Sequence, residues 1–275
     1  MWVYIEHDGK TAAPVGLELC CELRKLCDRT GDKLFAVVLD ALPETELDRV
    51  KDCGVDGIIQ VRGTGYETFN TDAWANAFTV LSRKYHPSAI FVGGTINGRD
   101  FAPRFAVKLD TGCTSDAMEL DWDPETGDIQ FIEPAVGGKI MAVITVPELR
   151  PQVGTIRPGT CKYAPAGRKA QIEQIEERID FDPEKIRCRH VDFIPDESDP
   201  ELDIAHADCI VCVGNGLKDA GIWSATAAWQ SSWAARSAAP GPCMTGASCP
   251  TSCRSASPAS WSRPSSISAS ESPAR

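Results

Sequence analysis

Three glycine-containing loops, each following an apolar strand-like run, are the segments best suited to bind a phosphate group through backbone amides. They are Gly63-Thr64-Gly65, Gly93-Gly94-Thr95-Ile96-Asn97-Gly98 and Gly214-Asn215-Gly216. None of them completes the G-x-G-x-x-G spacing of a dinucleotide-binding loop. A tight turn, for which glycine is the usual residue, is therefore the alternative explanation for the first two.

The second loop carries the clearest features of an anion site. Asn97 can cap the following helix by accepting a backbone N–H group with its side chain. Arg99 and Arg104 bring positive charge to the start of the same helix. Two interpretations remain open for this loop, a phosphate site and a tight turn.

No other group of residues in the sequence points to catalysis or to a metal. Cys209 and Cys212 have the spacing of a redox or zinc-binding pair, but they lie in an apolar strand-like run. Alternation along a strand sends two such thiols to opposite faces. The four histidines are isolated from cysteine pairs, and zinc needs further ligands. We therefore predict no catalytic residue and no metal site.

The elements that position these loops follow the strand–helix alternation of βαβ units. Short β-branched runs bounded by turn residues alternate with amphipathic stretches. The predicted strands are Val3–Glu6, Leu34–Leu39, Gly57–Val61 and Ala89–Val92, and the predicted helices are Val15–Asp28, Glu44–Cys53, Thr71–Tyr85 and Asp100–Leu109.

After Ile129 the pattern changes to strands without intervening helices, which predicts a partly antiparallel region. The predicted strands here are Ile129–Ile132, Lys139–Val146 and Gln152–Ile156. Asp121 and Asp123 are interpreted as parts of a turn, and Gln171–Asp180 fits either a short helix or an irregular edge strand. The acidic stretch Phe193–Pro200 predicts a linker, and Asp208–Val213 predicts the first strand of a second domain.

The overall charge restricts the classes of partner. The 275 residues carry 28 basic and 39 acidic side chains, a net charge of −11, and such a surface repels nucleic-acid phosphates and anionic lipid headgroups. No apolar run approaches the roughly 18 residues of a membrane-spanning helix. Met1 leads almost directly into a strand-like run, without an export signal. We predict a cytoplasmic protein with reduced cysteines, no nucleic-acid partner and no membrane insertion.

The last part of the chain has a different composition. Gly221–Arg275 contains no lysine and a single acidic residue, Glu271, yet it holds four of the seven tryptophans. These aromatic residues show no period that would gather them into a core. A genuine low-complexity extension rarely exposes so many tryptophans and cysteines. We interpret this tail as an out-of-frame reading of GC-rich coding DNA and predict that it is disordered.

Four segments carry a resemblance to a known family. Phe91–Ala106 resembles the G-x-T-x-x-G-R-D-x-A-P-R-x-A segment of the alpha subunit of electron-transfer flavoproteins. Gly112–Asp116 resembles the family's G-x-x-x-D step, and Pro134–Ala142 its P-x-x-G-G-x-x-x-A strand pair. Arg150–Gly159 resembles its R-P-Q-x-x-T-x-R-P-G run. The four motifs occur in the family's order, and the resemblance extends over residues 1 to 220.

The resemblance implies an α/β protein with a three-layer, Rossmann-like first domain built on a mixed sheet. This domain would comprise residues 1–190, followed by a linker at 191–207, the first strand and glycine loop of an FAD-binding domain at 208–220, and the out-of-frame tail at 221–275. It further implies an electron carrier rather than a stand-alone enzyme. Such a subunit forms a heterodimer with a beta subunit, accepts electrons from flavin dehydrogenases, as in fatty acid β-oxidation, and passes them on through FAD.

The resemblance also implies roles for particular residues. Gly214, Asn215, Gly216 and Leu217 would contact FAD, although Asn215 stands where the family's loop has an arginine. The family's later flavin motifs are absent from Gly221–Arg275, so FAD binding by this chain should be impaired. Three further residues are predicted to lie at a partner interface or in a structural loop, namely Arg99, Asp100 and Arg104.

Two other function classes remain as alternatives. One is a nucleotide-binding α/β hydrolase or dehydrogenase that uses the loop at Gly93, and turnover of ATP or NAD by the purified chain would favour it. The other is a module that only docks on a beta subunit. Flavin absorbance after purification separates a carrier from such a docking module.

We predict that the 275-residue chain, incubated with FAD, does not retain flavin through gel filtration. A dinucleotide needs contacts to its isoalloxazine and pyrophosphate groups beyond one glycine loop. The protein expressed from the alternative frame after Gly221 should regain the family's Gln-Thr-Gly motif and be yellow. Stoichiometric flavin on the 275-residue chain would contradict the out-of-frame interpretation.

Overall fold

A computed structural model describes residues 1–168, 171–188 and 190–192, and beyond them the backbone of three short strands. The chain divides into two units, Met1–Asp192 and Phe193–Arg275. The first unit contains all four of the family-like segments identified in the sequence. The fold that positions a candidate site is therefore the fold of this first unit.

The first unit contains ten strands, four α-helices and one short 3₁₀ helix among its described residues. The strands are β1 (Trp2–Tyr4), β2 (Phe35–Leu39), β3 (Gly57–Arg62), β4 (Ala89–Gly93), β5 (Cys113–Ala117), β6 (Glu119–Trp122), β7 (Ile129–Ala135), β8 (Ile140–Ile144), β9 (Gln152–Ile156) and β10 (Glu173–Arg178). The helices are α1 (Pro14–Thr30), α2 (Glu44–Asp52), α3 (Thr71–Tyr85) and α4 (Ile96–Lys108), and the 3₁₀ helix is Pro183–Lys185.

Seven strands form one sheet in the order β10-β3-β2-β1-β4-β9-β5, and every pairing in it is parallel. Strands β6, β7 and β8 form a separate antiparallel sheet. The α/β, Rossmann-like fold class is confirmed. The predicted mixture of parallel and antiparallel pairing is present, but it is divided between two sheets.

The large sheet is buried on both faces, which explains the continuous apolar runs of its central strands. In β2, Ala36 and Val38 join the core beneath α1, α2 and the small sheet, whereas Val37 and Leu39 join the core beneath α3 and α4. The second core is aromatic, and the rings of Phe78 on α3 and Phe105 on α4 are stacked 5.1 Å apart. Period-two alternation of apolar residues thus produces the three layers.

Most predicted elements agree with the structure within two or three residues, and the differences have local causes. Helix α4 begins at Ile96, not Asp100, because Thr95 caps it by accepting the N–H of Gly98 with its hydroxyl. Strands β5 and β6 were not predicted, since both are short and lack a clear apolar alternation. The predicted turn is wrong at Asp121, which lies in β6, whereas Asp123 does begin a turn closed by Gly127.

The stretch Gln171–Asp180, for which the sequence left two possibilities, contains an edge strand. Its residues Glu173–Arg178 pair in parallel with Gly57–Arg62 of β3. Ile175 packs against the core while its neighbours Gln174 and Glu176 are exposed. Three-to-four spacing of isoleucines among charges therefore did not distinguish a helix from a strand here.

The second unit is described only at three short strands, all by their backbone. Strand β11 (Cys209–Cys212) falls inside the predicted strand Asp208–Val213. It pairs in parallel with β12 (Arg236–Ala238) and β13 (Ser266–Ala269), two strands of the tail that the sequence did not predict. The domain boundaries and the out-of-frame interpretation of the tail remain predictions.

We predict that Gly98→Ala lowers the free energy of unfolding by about 1–3 kcal/mol, as overpacking of a tight contact does. A Cβ atom at Gly98 would lie 1.9 Å from the carbonyl oxygen of Gly93, a backbone atom that cannot move aside. This clash outweighs the helix propensity that alanine adds.

Urea unfolding followed by circular dichroism measures the effect, with Gly112→Ala as the matched control. A Cβ atom at Gly112 meets only a side-chain methyl of Val146, at 4.0 Å. Equal stabilities of the two variants would contradict the packing account of Gly98.

Candidate functional site

The strand order of the large sheet reverses between β1 and β4, and in open α/β sheets this is where ligands bind, beyond the carboxyl ends of the strands. Here the position is occupied by a side chain of the protein itself. Glu6, just after β1, accepts hydrogen bonds from the Thr95 hydroxyl (2.5 Å) and from the Asn97 amide (2.8 Å). A carboxylate thus lies at the N-terminus of α4, where a phosphate would otherwise be favoured.

The backbone of the loop between β4 and α4 is also engaged within the protein. The N–H of Gly94 donates to the carbonyl of Ile156 (2.6 Å), and the N–H of Gly98 donates to the Thr95 hydroxyl (3.0 Å). A Cβ atom at Gly93 would lie 2.6 Å from a methyl group of Val15. These glycines are therefore required by close packing, which supports the tight-turn interpretation of this loop.

The predicted cap residue Asn97 and the other two glycine loops complete the comparison of sequence and structure at this edge. Asn97 does not cap α4, because Thr95 occupies that position and Asn97 lies in the first turn, bound to Glu6. The loop at Gly63 is likewise packed, since a Cβ atom there would lie 2.1 Å from the carbonyl oxygen of Ile179. The third loop, with the predicted FAD residues Gly214, Asn215, Gly216 and Leu217, lies outside the described residues.

Arg99 belongs to an ionic cluster that joins three of the family-like segments. Its guanidinium lies 2.7 Å from one carboxylate oxygen of Asp116, and that of Arg157 lies 2.5 Å from the other. The backbone of Asp116 is left-handed, with a φ of 62°, and its N–H donates to the hydroxyl of Thr155 (2.9 Å). The cluster ties α4, β5 and β9 together at the carboxyl edge of the sheet.

The charges in this cluster stabilise one another. Partial burial raises the pKa of Asp116, but the hydrogen bond from Arg157 and the charges of Arg157 and Arg99 outweigh it, so the net pKa is lower than usual. The hydrogen bond to Asp116 in turn raises the pKa of Arg157. A carboxylate held ionised between two arginines is a poor general base, and the arrangement suits structure or binding rather than proton transfer.

Asp100 and Arg104 contact a different part of the structure from Arg99. The hydroxyl of Thr71 donates to the carboxylate of Asp100, and the guanidinium of Arg104 lies 2.9 Å from Asp72. Arg187 also binds Asp72, at 2.7 Å. The two residues therefore hold the start of α3 against α4. The structure does not bring the three residues predicted for an interface or structural loop into one cluster.

Sequence reasoning missed a second polar cluster, which joins the two sheets. The carboxylate of Asp128, nearly fully buried, accepts hydrogen bonds from Arg150 (2.8 Å) and Gln152 (3.1 Å). The Gln152 side chain also accepts the N–H of Ile129, at 3.0 Å. Arg150 and Gln152 belong to the R-P-Q run, so that motif was the sequence feature that could have indicated this cluster. No motif in the sequence indicated Asp128.

The sequence also gave no sign of an exposed apolar surface among the described residues, which we call the hairpin surface. It is formed by side chains of the β7–β8 hairpin that are each at least half exposed, namely Val136, Ile140, Met141 and Val143. Strand β8 is moreover an edge of the small sheet, so its outer backbone groups have no strand partner among the described residues. Exposed apolar side chains beside an open strand edge are typical of a docking surface.

The described part of the chain contains no group of three or more histidine, cysteine, aspartate or glutamate side chains that could hold a metal ion. None of the described helices is long and apolar enough to cross a membrane.

We predict that Asp116→Asn lowers the free energy of unfolding by about 1–2 kcal/mol at pH 7, because it leaves Arg99 and Arg157 without their anion. Asparagine tolerates the left-handed backbone at this position, so the change tests charge rather than conformation. In the wild type, the pKa of Asp116 is lower in the folded chain than its ordinary value of 3.8. The ionised carboxylate therefore stabilises the fold at pH values above 3.8, and this stabilisation is lost as the pH falls through the folded-state pKa.

The stability difference between wild type and Asp116→Asn should therefore shrink as the pH falls below 3.8, the ordinary pKa of an aspartate. Urea unfolding at pH 7 and at acid pH checks this. Asp110→Asn is the matched control, since Asp110 is exposed, also has a positive φ of 56°, and forms no ion pair among the described contacts. A pH-independent difference for Asp116→Asn would contradict the ionic account.

Comparison with known proteins identifies the family. The model of the electron transfer flavoprotein domain matches residues 1–179. Protein FixB of Clostridium saccharobutylicum is 34% identical over 218 residues, which are 79% of this chain and 64% of that protein.

Two other relatives give the same picture. The electron transfer flavoprotein subunit alpha of Thermoanaerobacterium thermosaccharolyticum is 33% identical over 217 residues, 79% of this chain and 65% of that protein. The lactate dehydrogenase (NAD(+),ferredoxin) subunit LctC of Acetobacterium woodii is 30% identical over 216 residues, 78% of this chain and 51% of that protein. The chain thus spans less than two thirds of the length of these relatives. It belongs to the electron transfer flavoprotein family, as an alpha-like subunit.

Proposed function

We propose that this chain is the alpha-like subunit of a heterodimeric electron carrier, and that its first unit docks on a beta subunit. In this proposal the second unit would carry FAD, which accepts electrons from flavin dehydrogenases, including those of fatty acid β-oxidation, and passes them to a downstream acceptor. Family membership supports the proposal. The name of the Acetobacterium relative supports a dehydrogenase as the electron donor.

The observation that carries the docking proposal is the hairpin surface. Met141 and Val143 project from the same face of β8, and each is more than half exposed. A face of this kind gains free energy when a partner covers it, at roughly 25 cal/mol per Å² of apolar area removed from water. The open edge of β8 can in addition pair with a strand or an extended segment of that partner.

The nucleotide-binding enzyme, one of the two alternatives, has less support. Its phosphate site would be the loop after β4, but Glu6 and Ile156 already occupy the hydrogen-bonding groups of that loop. Bringing a phosphate to this position would place it against a carboxylate, which costs free energy. The docking-only module differs from the carrier solely in whether FAD is held by the second unit.

The FAD proposal rests on Gly214, Asn215, Gly216 and Leu217, which would approach the pyrophosphate of the cofactor. FAD supplies the redox chemistry, and the residues of the chain would bind and orient it. We propose that this chain holds FAD weakly, because Asn215 replaces an arginine of the family's loop and the later flavin motifs are missing from the tail.

The proposed compartment is the cytoplasm. Seven cysteines of the described residues are free thiols, among them the buried Cys20, Cys27 and Cys53. Free thiols in this number are typical of a reducing compartment.

We predict that Val143→Asp weakens the heterodimer with a family beta subunit by about tenfold or more in Kd, since a carboxylate at the centre of an apolar interface must lose its water. Analytical ultracentrifugation or calorimetry of the two purified subunits measures this. Val107→Asp is the matched control, because Val107 is an exposed valine on α4, away from the hairpin.

In the same experiment Arg99→Ala should also weaken association, with the fold checked by circular dichroism. Loss of Arg99 frees a carboxylate oxygen of Asp116 at the edge of the sheet.

Two results would overturn the assignment of the hairpin surface. One is that Val143→Asp binds the beta subunit as tightly as the wild type does. The other is that Val143→Asp and Val107→Asp lose the same amount of affinity for it.

A further inference from the structure

A cavity of about 260 Å³ lies at the edge of the large sheet where its strands begin, opposite to the loop after β4. Residues 82–87, 108–110 and 150–151 contribute to its lining, and they lie just before β4, β5 and β9. Sites for drug-sized ligands occupy about 300–1,000 Å³. This cavity therefore suits a smaller ligand than a dinucleotide.

The lining of the cavity is rich in hydrogen-bond donors. Arg83, His86 and Lys108 are exposed and form no ion pair among the described contacts. The described hydrogen bonds of the Arg83 side chain involve only Nη2, which donates to the backbone carbonyl of Lys108 (3.0 Å). The rest of this guanidinium and the ammonium of Lys108 are available to bind an anion.

Two other charged residues line the cavity and contribute differently. Arg150 is already neutralised, because its guanidinium lies 2.8 Å from the carboxylate of Asp128. Asp110 is the only carboxylate among the described residues of the lining. The unpaired cations Arg83 and Lys108 outnumber it, so the cavity carries a net positive charge in a chain whose overall charge is −11.

A buried hydroxyl at this cavity has no hydrogen-bond partner. Ser82 lines the cavity and is only 3% exposed, and its Oγ atom forms no hydrogen bond with any described residue. Thr79, also buried on α3, satisfies its own hydroxyl by donating to the carbonyl of Ala75 (2.6 Å). An unsatisfied buried hydroxyl costs free energy. An oxygen atom of a ligand in the cavity would supply the missing partner.

The two helices that end at the cavity place polar side chains there at positions where glycine is common. His86 is the C-terminal cap of α3 and has a left-handed backbone, with a φ of 49°. Asp110 follows the cap of α4 and has a φ of 56°. Glycine is the usual residue in this conformation after a helix. Left-handed residues other than glycine concentrate at functional sites, because a local strain is tolerated there.

Stabilisation of the helix ends explains only part of this arrangement. Basic residues in the last turn of a helix interact favourably with its dipole, and Arg83 does donate to the end of α4. The last carbonyl groups are engaged within the backbone, since His86 N–H donates to Ser82 (2.9 Å) and Leu109 N–H donates to Phe105 (3.0 Å). Neither contact satisfies the hydroxyl of Ser82.

We propose that this cavity binds a small phosphate-bearing molecule, either free phosphate or a phosphate monoester. Arg83 and Lys108 supply the positive charge, and Ser82 and His86 supply hydrogen bonds. A phosphate group has more acceptor oxygens than a carboxylate, which suits donors that come from the ends of two helices. The site is separate from the proposed FAD residues and shares no described lining residue with the hairpin surface.

Calorimetric titration of the full chain at constant ionic strength tests the site. We expect saturable binding of inorganic phosphate at one site per chain, and acetate should bind at least about tenfold more weakly. Glycerol 3-phosphate is the second probe. Tighter binding of the ester assigns the site to a phosphate monoester, and tighter binding of inorganic phosphate assigns it to the free anion. Absence of saturable binding for both probes, or equal binding of acetate, would refute the site.

Charge variants test which residues bind the phosphate. Arg83→Gln and Lys108→Gln should each weaken phosphate binding by about tenfold, the effect of one lost charge-assisted hydrogen bond. Lys10→Gln is the matched control, since Lys10 is exposed, forms no ion pair among the described contacts and lies at the opposite edge of the sheet. Equal losses in all three variants would show attraction by overall charge and would overturn the proposal.

Two further variants separate binding from a structural role. Ser82→Ala should weaken phosphate binding by about threefold, yet it should not lower the midpoint of urea unfolding, because the hydroxyl lost had no partner in the fold. Asp110→Asn should tighten phosphate binding by about threefold, since it removes a like charge from the lining. Wild-type affinity in both variants would contradict the site.

Discussion

The close contact between α4 and the end of β4 determines much of the first unit. Gly98 lies directly against the carbonyl oxygen of Gly93, so close that a Cβ atom has no room. This contact and the Thr95 cap fix where α4 begins. The position of Arg99, and with it the ionic cluster at Asp116, follows from the same start. One glycine and one threonine thereby place both the helix and the charges at the edge of the sheet.

The surroundings of the same contact support the tight-turn interpretation of the loop after β4 over a phosphate site. The N-terminus of α4 favours an anion, and Glu6 supplies one from the end of β1. Because the glycines are used for packing against β9 and α1, the loop gains rigidity rather than an open cradle. The resulting unit is an α/β body with an exposed apolar hairpin, as the proposed docking role requires.

The sequence predicted the strand–helix alternation well because each central strand is buried on both faces and each helix has one apolar face. It predicted less where the elements are short or exposed. Strand β5 has no apolar alternation, and β10 has polar and charged residues around a single, partly buried isoleucine. The helix start was placed four residues late because the capping group is Thr95 and not Asn97.

The candidate site depended on contacts between distant positions, which a single sequence does not reveal. Glu6 meets Thr95 across 89 residues. The family-like segments did indicate Arg99, Arg104 and the R-P-Q run. Their ionic partners, which are Asp116, Asp72 and Asp128 respectively, became apparent only in the fold. The hairpin surface resembled an ordinary buried strand, since apolar residues for a core and for an interface look alike in sequence.

The central claim is that the first unit docks on a beta subunit through the hairpin surface. Hydrogen–deuterium exchange of the chain, alone and with a family beta subunit, tests it most directly, because amide protection reports where a partner covers the backbone. The account predicts that exchange slows at Val136–Ile144 when the beta subunit is present and does not change around Val107 on α4. Unchanged exchange in the hairpin, with protection at α4 or elsewhere, would contradict it.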